Sequence, residues 1–554
     1  MTITKLIVGG FKSLRDTVEI PLAPITLMFG PNSVGKSVVR DALAELRHIL
    51  MTRHSTDRCW EQSSVSGPRG HWLPQADPDE EPSYSRLVLG CEVASFNGEL
   101  NLNEQVDFST ARGVGQLMQE SLVGQAVGYC IAGTDELSIS SLRMWADGMT
   151  ILDYSVDSSA EGAEQNLVTI GPNDMGRRFP RASGWLRLYL GHAVWSYPGF
   201  GELTVALREA LAQSRSADLD SLVRWRDDIL EIGQMTKFGY AGSFESWGGT
   251  NFKVQALPAE LLNVNATIDS LYQLINEFVF QVAHGLSLAI DMAHVPGSRS
   301  LLSEEDASTE WIPTDDFASQ AASPTSVRAY AHWLALIKAQ PKQVKPESLQ
   351  AALQRDDFVN DVLDKHFFGA RRYRVVPAVE LRTETMLLRR GSSDLGCPHH
   401  EIQTKLYLQD GQGRSLDFSS VGSGISYVLP VLTALWAGRR SLIEQPELHL
   451  HPAAQCEMGD VIVRAFNRGR FSIIETHSEH LLLRVLRRIR ETSEGKVQDR
   501  ELQCQPEAVA VLYFSPQQDG SAQVHQLRVT RGGDFMDRWP DGFFEERSRE
   551  LFDE

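Results

Sequence analysis

The chain contains no CxxC pair. Its six cysteines, Cys59, Cys91, Cys130, Cys397, Cys456 and Cys504, lie scattered, which argues against a disulfide framework or a zinc ribbon and fits a reducing compartment. Positive charge is also scarce: 53 Lys and Arg stand against 72 Asp and Glu, a formal net charge of −19. Wholesale wrapping of nucleic acid is therefore not expected, although a local basic groove stays open. No apolar run reaches the length of a membrane span, and Met1–Lys5 begins a strand pattern rather than a signal-peptide core. These absences together lead to the expectation of a cytoplasmic protein with no membrane partner. At 554 residues, 42% hydrophobic and 23% charged, the chain has the make-up of a globular protein too long for one core, so two or three lobes are expected.

Against this background one stretch stands out: Gly30-Pro31-Asn32-Ser33-Val34-Gly35-Lys36-Ser37. It follows the apolar run Ile25–Phe29 and opens into a helical pattern from Val38 to Leu50, the strand–loop–helix context of a P-loop. Glycines let backbone N–H groups turn inward to form an anion nest, and the helix N-terminus adds partial positive charge there. In that reading Lys36 reaches the β- and γ-phosphates of ATP, and the Ser37 hydroxyl is a ligand of Mg2+. The bland alternative is a Gly-rich strand–helix turn, which leaves Lys36 without a purpose.

In chain order, Leu6–Val8 and Val18–Ile20 are short strands leading to the P-loop strand, and Lys12 between them is either a solvated turn residue or a neighbour of the nucleotide. A Ser-, Gly- and Pro-rich loop covers 52–84. From 84 to 170 the pattern is β-like, with turn signals such as Phe96-Asn97-Gly98-Glu99, and predicts an antiparallel sheet. Helical spacing follows over 202–235 (Leu203, Leu207, Leu211, Leu222, Val223, Trp225, Ile229), over 259–290, and in a pair at 325–340 and 347–367. The β signal returns at 373–377 and 405–408, with a hairpin turn at Gln409–Gly413. The expected lobes are 1–200, a helical insertion at 201–370, and 371–554.

Three distal motifs follow. Small residues at Ser419–Ser426, with Ser423 and Gly424 among them, open a helix; alone they fit either an anion contact or an N-capped core helix. Ser441-Leu442-Ile443-Glu444-Gln445-Pro446-Glu447-Leu448-His449-Leu450-His451-Pro452 is an apolar strand ending in a carboxylate, the Walker B arrangement, with Glu444 a Mg2+ ligand. The alternative is an exposed acidic turn. Phe471-Ser472-Ile473-Ile474-Glu475-Thr476-His477-Ser478 ends a strand in a histidine that can sense a γ-phosphate and position water.

In this order the motifs resemble the ABC-type ATPase head of the SMC and double-strand-break-repair class, and within it the overcoming-lysogenisation-defect-like bacterial ATPases. The tail Arg538-Trp539-Pro540-Asp541-Gly542-Phe543-Phe544 resembles a subgroup of these. The match covers 1–50 and 415–545. It implies an α/β fold, a P-loop ATPase head with a mixed sheet core and an antiparallel β subdomain. It also implies a homodimer, or a higher even-numbered assembly, with ATP sandwiched between copies. Gly30 to Ser37 would bind nucleotide on one copy, and Ser423 and Gly424 would contact the γ-phosphate from the other. His449 and His451 fall in the segment that crosses the interface, and His477 matches the switch histidine. No glutamine can be assigned to the Q-loop.

One departure matters. Such heads carry Glu after the Walker B acid, as the base that activates water. Here that residue is Gln445, which can orient water but cannot accept its proton. Glu447 is a candidate replacement, and slow hydrolysis is expected. The stretch after His477 is too short for a Toprim nuclease. This leads to the expectation of an ATP-gated switch that controls a separate nuclease or toxin effector in antiphage defence. The alternatives are a DNA-repair ATPase and an ATP-dependent scaffold. Arg484, Arg487, Arg488 and Arg490 share a helical face that could meet nucleic acid, but pairing with the chain's own acidic excess is slightly favoured. Cys397-Pro398-His399-His400-Glu401 reads as a polar loop rather than a metal site.

Overall fold

The computed structural model describes residues 2–31, 34–51, 87–97, 111–133, 139–156, 184–214, 223–232, 259–297, 308–310, 358–363, 367, 373–390, 393–416, 423–437 and 440–540. These divide into two compact units, one of 1–21, 37–291 and 516–523, the other of 22–36, 292–515 and 524–554. The borders therefore do not coincide with the boundaries near 200 and 370 expected from sequence. The reason is topological: a central strand of one unit is donated from the N-terminus.

In the second unit a six-stranded sheet runs in the order Ala293–Val295, Arg440–Glu444, Phe471–Glu475, Ile25–Phe29, Val509–Pro516, Ala522–Leu527. The first five are mutually parallel. Ile25–Phe29 is buried at every residue, as a parallel strand covered on both faces must be. The helices Ser423–Ala437, Pro452–Asn467 and Glu479–Ser493 supply Leu429, Leu432, Val461, Ile462, Leu482 and Val485 to the same core as Leu27, Ile443, Ile474 and Val511. The unit also holds a long hairpin, Arg374–Arg390 with Ser393–Gln409, in continuous antiparallel register. The expected turn joins Ser393–Gln409 to the short strand Ser415–Leu416: Asp410 N–H donates to Arg414 O, and Gly413 takes φ +78°. Cys397–Glu401 lies within Ser393–Gln409, so the polar-loop reading is corrected to strand. His399 and Pro398 there mimic turn composition, but pairing over the whole length of Arg374–Arg390 carries the segment as strand.

The first unit holds a nine-stranded antiparallel sheet ordered Val18–Pro21, Ile3–Gly9, Leu87–Val93, Val127–Gly133, Ile139–Ala146, Met149–Val156, Gly184–Tyr189, Ile229–Ile232, Val223–Arg226. The stretch expected to be β is strand at 87–93, 127–133 and 139–156, but Ala111–Glu120 within it is a helix, with Val114, Leu117 and Met118 at helical spacing. Residues 223–232, expected to be helical, are instead a hairpin. Val223-Arg224-Trp225-Arg226 alternates apolar and polar, and Asp227-Asp228 supplies the turn; β-branched and aromatic side chains suit the pleat better than a helix. Across this sheet Arg143, Asp153, Arg187, Glu231 and Arg224 stand directly opposite one another in register, a ladder of alternating charge. The helices of the unit are Val38–Met51, Ala111–Glu120, Pro198–Gln213 and Ala259–Ala289. The last bears out the helix expected at 259–290. Gly115 lies so close to it that a Cβ would meet Glu277 Cγ at 3.0 Å. The loop at 52–84 and most of the helical pair at 325–367 lie outside the described residues.

Candidate functional site

The P-loop strand ends at Phe29, and the chain then turns through Gly30 at φ +146°, where a Cβ would meet the carbonyl oxygen of Phe514 at 2.5 Å. Only glycine satisfies both conditions. Gly35, at φ +98°, makes the second reversal. Between them Val34 is buried and Pro31 exposed; Asn32 and Ser33 lie outside the described residues. Lys36 is 4% exposed. Its ammonium donates to the carbonyls of Gly30 (3.0 Å) and Pro31 (2.9 Å) and stands 3.6 Å from Glu475 Oε1. Burial pulls the Lys36 pKa below the ordinary lysine value, and Glu475 opposes that shift. Ser37 begins the helix that follows, its carbonyl accepting the Asp41 N–H at 3.1 Å. Lys12, at φ +50°, is neither a free turn residue nor shown near a ligand: its ammonium pairs with the Asp41 carboxylate.

The two acidic strand ends stand side by side. Glu444 is in register with Glu475, which in turn is in register with Met28 of the P-loop strand. Glu444 Oε2 accepts the Gly297 N–H at 2.9 Å, and Oε1 lies 3.1 Å from His294 Nε2. Gln445 leaves the strand at φ +46°, its N–H donating to the Glu475 carbonyl at 2.6 Å. A tight turn follows, with His449 at φ +59°.

Glu447 faces Thr476 and His477 with both oxygens. Oε2 accepts the Thr476 hydroxyl and Oε1 the His477 N–H, each at 2.8 Å. Thr476 N–H donates to Met28 O at 3.1 Å, tying the segment to the P-loop strand. Ser478 caps the helix Glu479–Ser493 by accepting from Leu481 N–H. His477 Nε2 is buried with no hydrogen-bond partner among the described residues. Burial lowers the His477 pKa, with the nearby Lys36 charge adding to the effect.

Ser423 and Gly424 open the helix Ser423–Ala437. A Cβ at Gly424 would lie 3.6 Å from the His449 carbonyl, and the rings of Tyr427 and His449 are 4.2 Å apart. The start of this helix thus sits against the turn after the strand Arg440–Glu444. His451 caps the next helix, its Nδ1 accepting from Ala453 N–H at 3.3 Å.

The structure therefore gathers Gly30, Lys36, Glu444, Gln445, Glu447 and His477 at the C-terminal ends of neighbouring parallel strands, where open α/β sheets bind ligands. Sequence reasoning missed Glu475 and the His294–Gly297 segment. A carboxylate ending an apolar strand beside Thr-His was the available signal for Glu475. Nothing local marked His294; only its strand's pairing with Arg440–Glu444 brings it there. The residues suit a triphosphate with Mg2+: two glycines with positive φ, a buried ammonium, a strand-end carboxylate and an orphaned imidazole nitrogen. Of the arginine face, Arg487 and Arg490 are exposed, while Arg484 and Arg488 are half-buried against carboxylates. Arg484 donates to Asp460 at 2.7 Å, Arg488 to Asp460 and Glu491, and Arg487 to Glu491.

Residues 301–484 match the family model described as "AAA domain, putative AbiEii toxin, Type IV TA system", and residues 504–553 match "Protein of unknown function (DUF3696)". The distal motifs fall within the first match and Trp539 within the second. No curated protein matches the chain. Solved structures similar to it include an SMC head bound to the C-winged helix domain of ScpA, with 11% identity over 96% of this chain and 99% of that one and a TM-score of 0.38. Another is an SMC head with an extended coiled coil bound to the C-terminal domain of ScpA from Pyrococcus furiosus, with 12% identity over 95% and 96% and a TM-score of 0.34. The SMC head domain from Thermotoga maritima has 8% identity over 96% and 100% and a TM-score of 0.33. Among the described residues no helix is long and apolar enough to cross a membrane.

Proposed function

We propose that the chain is an ATP-binding, slowly ATP-hydrolysing switch that works as a homodimer or higher even-numbered assembly and governs a separate nuclease or toxin effector in bacterial antiphage defence. The observation that carries the nucleotide reading is the buried Lys36 ammonium between the P-loop carbonyls and Glu475, one strand from Glu444. The similarity of residues 301–484 to an AAA domain supports the same class.

In this reading Gly30 to Ser37 cradle the phosphates, Lys36 binds the terminal ones, and Ser37 and Glu444 hold Mg2+. When bound, the cation would supply the charge that offsets that of the phosphate oxygens. His477 offers its unpartnered Nε2 to the γ-phosphate or to attacking water, and Glu447 fixes the peptide that carries it. Ser423 and Gly424 reach a second copy's nucleotide.

A scaffold that binds ATP with little turnover is the second reading, and Gln445 is the observation that favours it. Direct action on DNA through the arginine face is disfavoured by the carboxylates that occupy it. The test is binding of a fluorescent ATP analogue with Mg2+, together with the oligomeric state with and without ATP. Tight binding and nucleotide-dependent assembly are expected, both lost in Lys36→Ala. Failure of the wild type to bind nucleotide would overturn the proposal.

A further inference from the structure

We infer that Glu475 is the general base of the reaction, the carboxylate that takes the proton of the attacking water in place of Gln445. The inference rests on the nucleotide-hydrolysis reading above and goes beyond it by assigning the group that reading lacks.

Three side chains of the turn after the strand Arg440–Glu444 compete for the role, and geometry disfavours each, while His477 Nε2, unpartnered among the described residues, is the group left in this reading to hold the γ-phosphate. Gln445 carries a carboxamide, which has no basicity to hold a proton. Glu447 already accepts the Thr476 hydroxyl and the His477 peptide N–H, one on each oxygen. Proton uptake there would remove the charge from both accepted bonds and weaken the hold on the turn at His477. Glu444 accepts the Gly297 N–H on one oxygen and meets His294 on the other, and it is the residue assigned to the cation.

Glu475 stands where a base is needed. Its carboxylate is 3.6 Å from Lys36 Nζ, the ammonium that in this reading contacts the terminal phosphate. Any phosphoryl group bound by Lys36 therefore lies beside Glu475. The residue is two positions from His477 and in register with Glu444. The Gln445 N–H donates to the Glu475 carbonyl, so the position after the Walker B acid and the end of the next strand are joined by one backbone bond. The carboxylate missing at 445 is supplied one strand nearer the P-loop.

The step balances without a further reactant. The water oxygen bonds to the γ-phosphorus as a water proton passes to a Glu475 oxygen. The bond from the γ-phosphorus to the bridging oxygen breaks, and its electron pair leaves with ADP. Phosphate and ADP are the products, and Glu475 returns its proton to solvent.

The experiment compares phosphate release at saturating ATP and affinity for a fluorescent ATP analogue in the wild type, E475Q, E475D, Q445E and the E475Q/Q445E double variant. E475Q is expected to lower turnover about a hundredfold, the usual weight of a general base, while binding the analogue as tightly as the wild type or tighter. E475D should keep part of the activity. Q445E should restore turnover to E475Q, a rescue that a merely structural role for Glu475 does not produce. Turnover of E475Q close to that of the wild type, or no recovery in the double variant, overturns the assignment. Should E475Q fail to fold, as read by its melting temperature, E475D falling to the level of Lys36→Ala does the same. A wild type that binds the analogue without releasing phosphate also overturns it. A wild type that binds no nucleotide is a different result, since it removes the nucleotide reading beneath it.

Discussion

The carboxylate of Glu447 accepts the backbone N–H of His477 at 2.8 Å. This bond joins the turn after the strand Arg440–Glu444 to the turn that carries His477. With the Thr476 hydroxyl on its other oxygen, Glu447 acts as a clamp between two loops that must keep register for the site to exist. Glu447→Ala would leave the buried Thr476 hydroxyl and the His477 peptide without an acceptor. A loss of about 1–3 kcal/mol is expected, read as a lower melting temperature. ATP turnover should fall with it, while Glu447→Gln, which keeps one acceptor oxygen, loses less of both.

Asp460 is 3% exposed at its side chain and lies between the guanidiniums of Arg484 and Arg488. Its hydrogen bond raises the Arg488 pKa further above the ordinary arginine value. Asp460→Ala strands two partly buried cations and should cost about 3 kcal/mol or more. Arg488→Gln should lower the melting temperature clearly, whereas Arg487→Gln, at an exposed side chain, should barely change it. If instead both arginine variants left the melting temperature intact and abolished DNA binding, the face would be an interface after all.

The tail ends its described course against the P-loop strand. Trp539 meets Phe29 edge-on at 5.5 Å, and Tyr513 and Phe535 at 6.0 and 5.2 Å. Trp539→Ala should therefore destabilise by about 2–3 kcal/mol, below the range for a fully buried Trp because this one is partly exposed. Thermal unfolding checks it.

The segment leading to Trp539 is held by Arg528, whose backbone N–H and guanidinium both donate to Asp537. These bonds push the Asp537 carboxyl down to about 2. A carboxyl with a depressed folded pKa stabilises above its ordinary value, and that contribution is lost as pH falls through about 2. Acid titration should thus release the tail over the window below the ordinary carboxylate range. The reading is tryptophan fluorescence of the wild type against Trp539→Phe, and Asp537→Asn should abolish the transition.

In the antiparallel sheet Arg187 stands opposite both Asp153 and Glu231, with Nε 3.4 Å from Glu231 Oε1. A double-mutant cycle on Arg187 and Glu231 should give a favourable coupling of about 0.5–1 kcal/mol, reduced by salt. Zero coupling would make the ladder a matter of register alone.

How much of this was legible beforehand varies with how local the cause is. The P-loop turn was, because Gly30 and Gly35 adopt backbone angles that other residues rarely take. The strands at 87–93 and 139–156 and the helix at 259–289 were, because alternation and helical spacing each reflect one buried face, whereas the helix Ala111–Glu120 between those strands was not. Residues 223–232 misled because Leu222, Val223, Trp225 and Ile229 fit both periods over so short a span. Partnership with Gly184–Tyr189 settled the matter, and no local pattern encodes a partner. The tail's Trp539 could be noticed in sequence, but not that Phe29, hundreds of residues earlier, is its seat.

Local chemistry alone thus established the mixed α/β class, the P-loop turn and which strands end in carboxylates, since each depends on neighbours within a few positions. The roles open to those carboxylates were decided by the packed sheet. Parallel register sets Glu444 beside Glu475, the turn at Gln445 swings Glu447 onto Thr476 and His477, and Lys36 is folded against Glu475. Identical side chains acquire different surroundings because only the folded chain supplies the hydrogen bonds and burial that set Glu447 against Thr476 and His477, Glu444 against His294, and Glu475 beside Lys36.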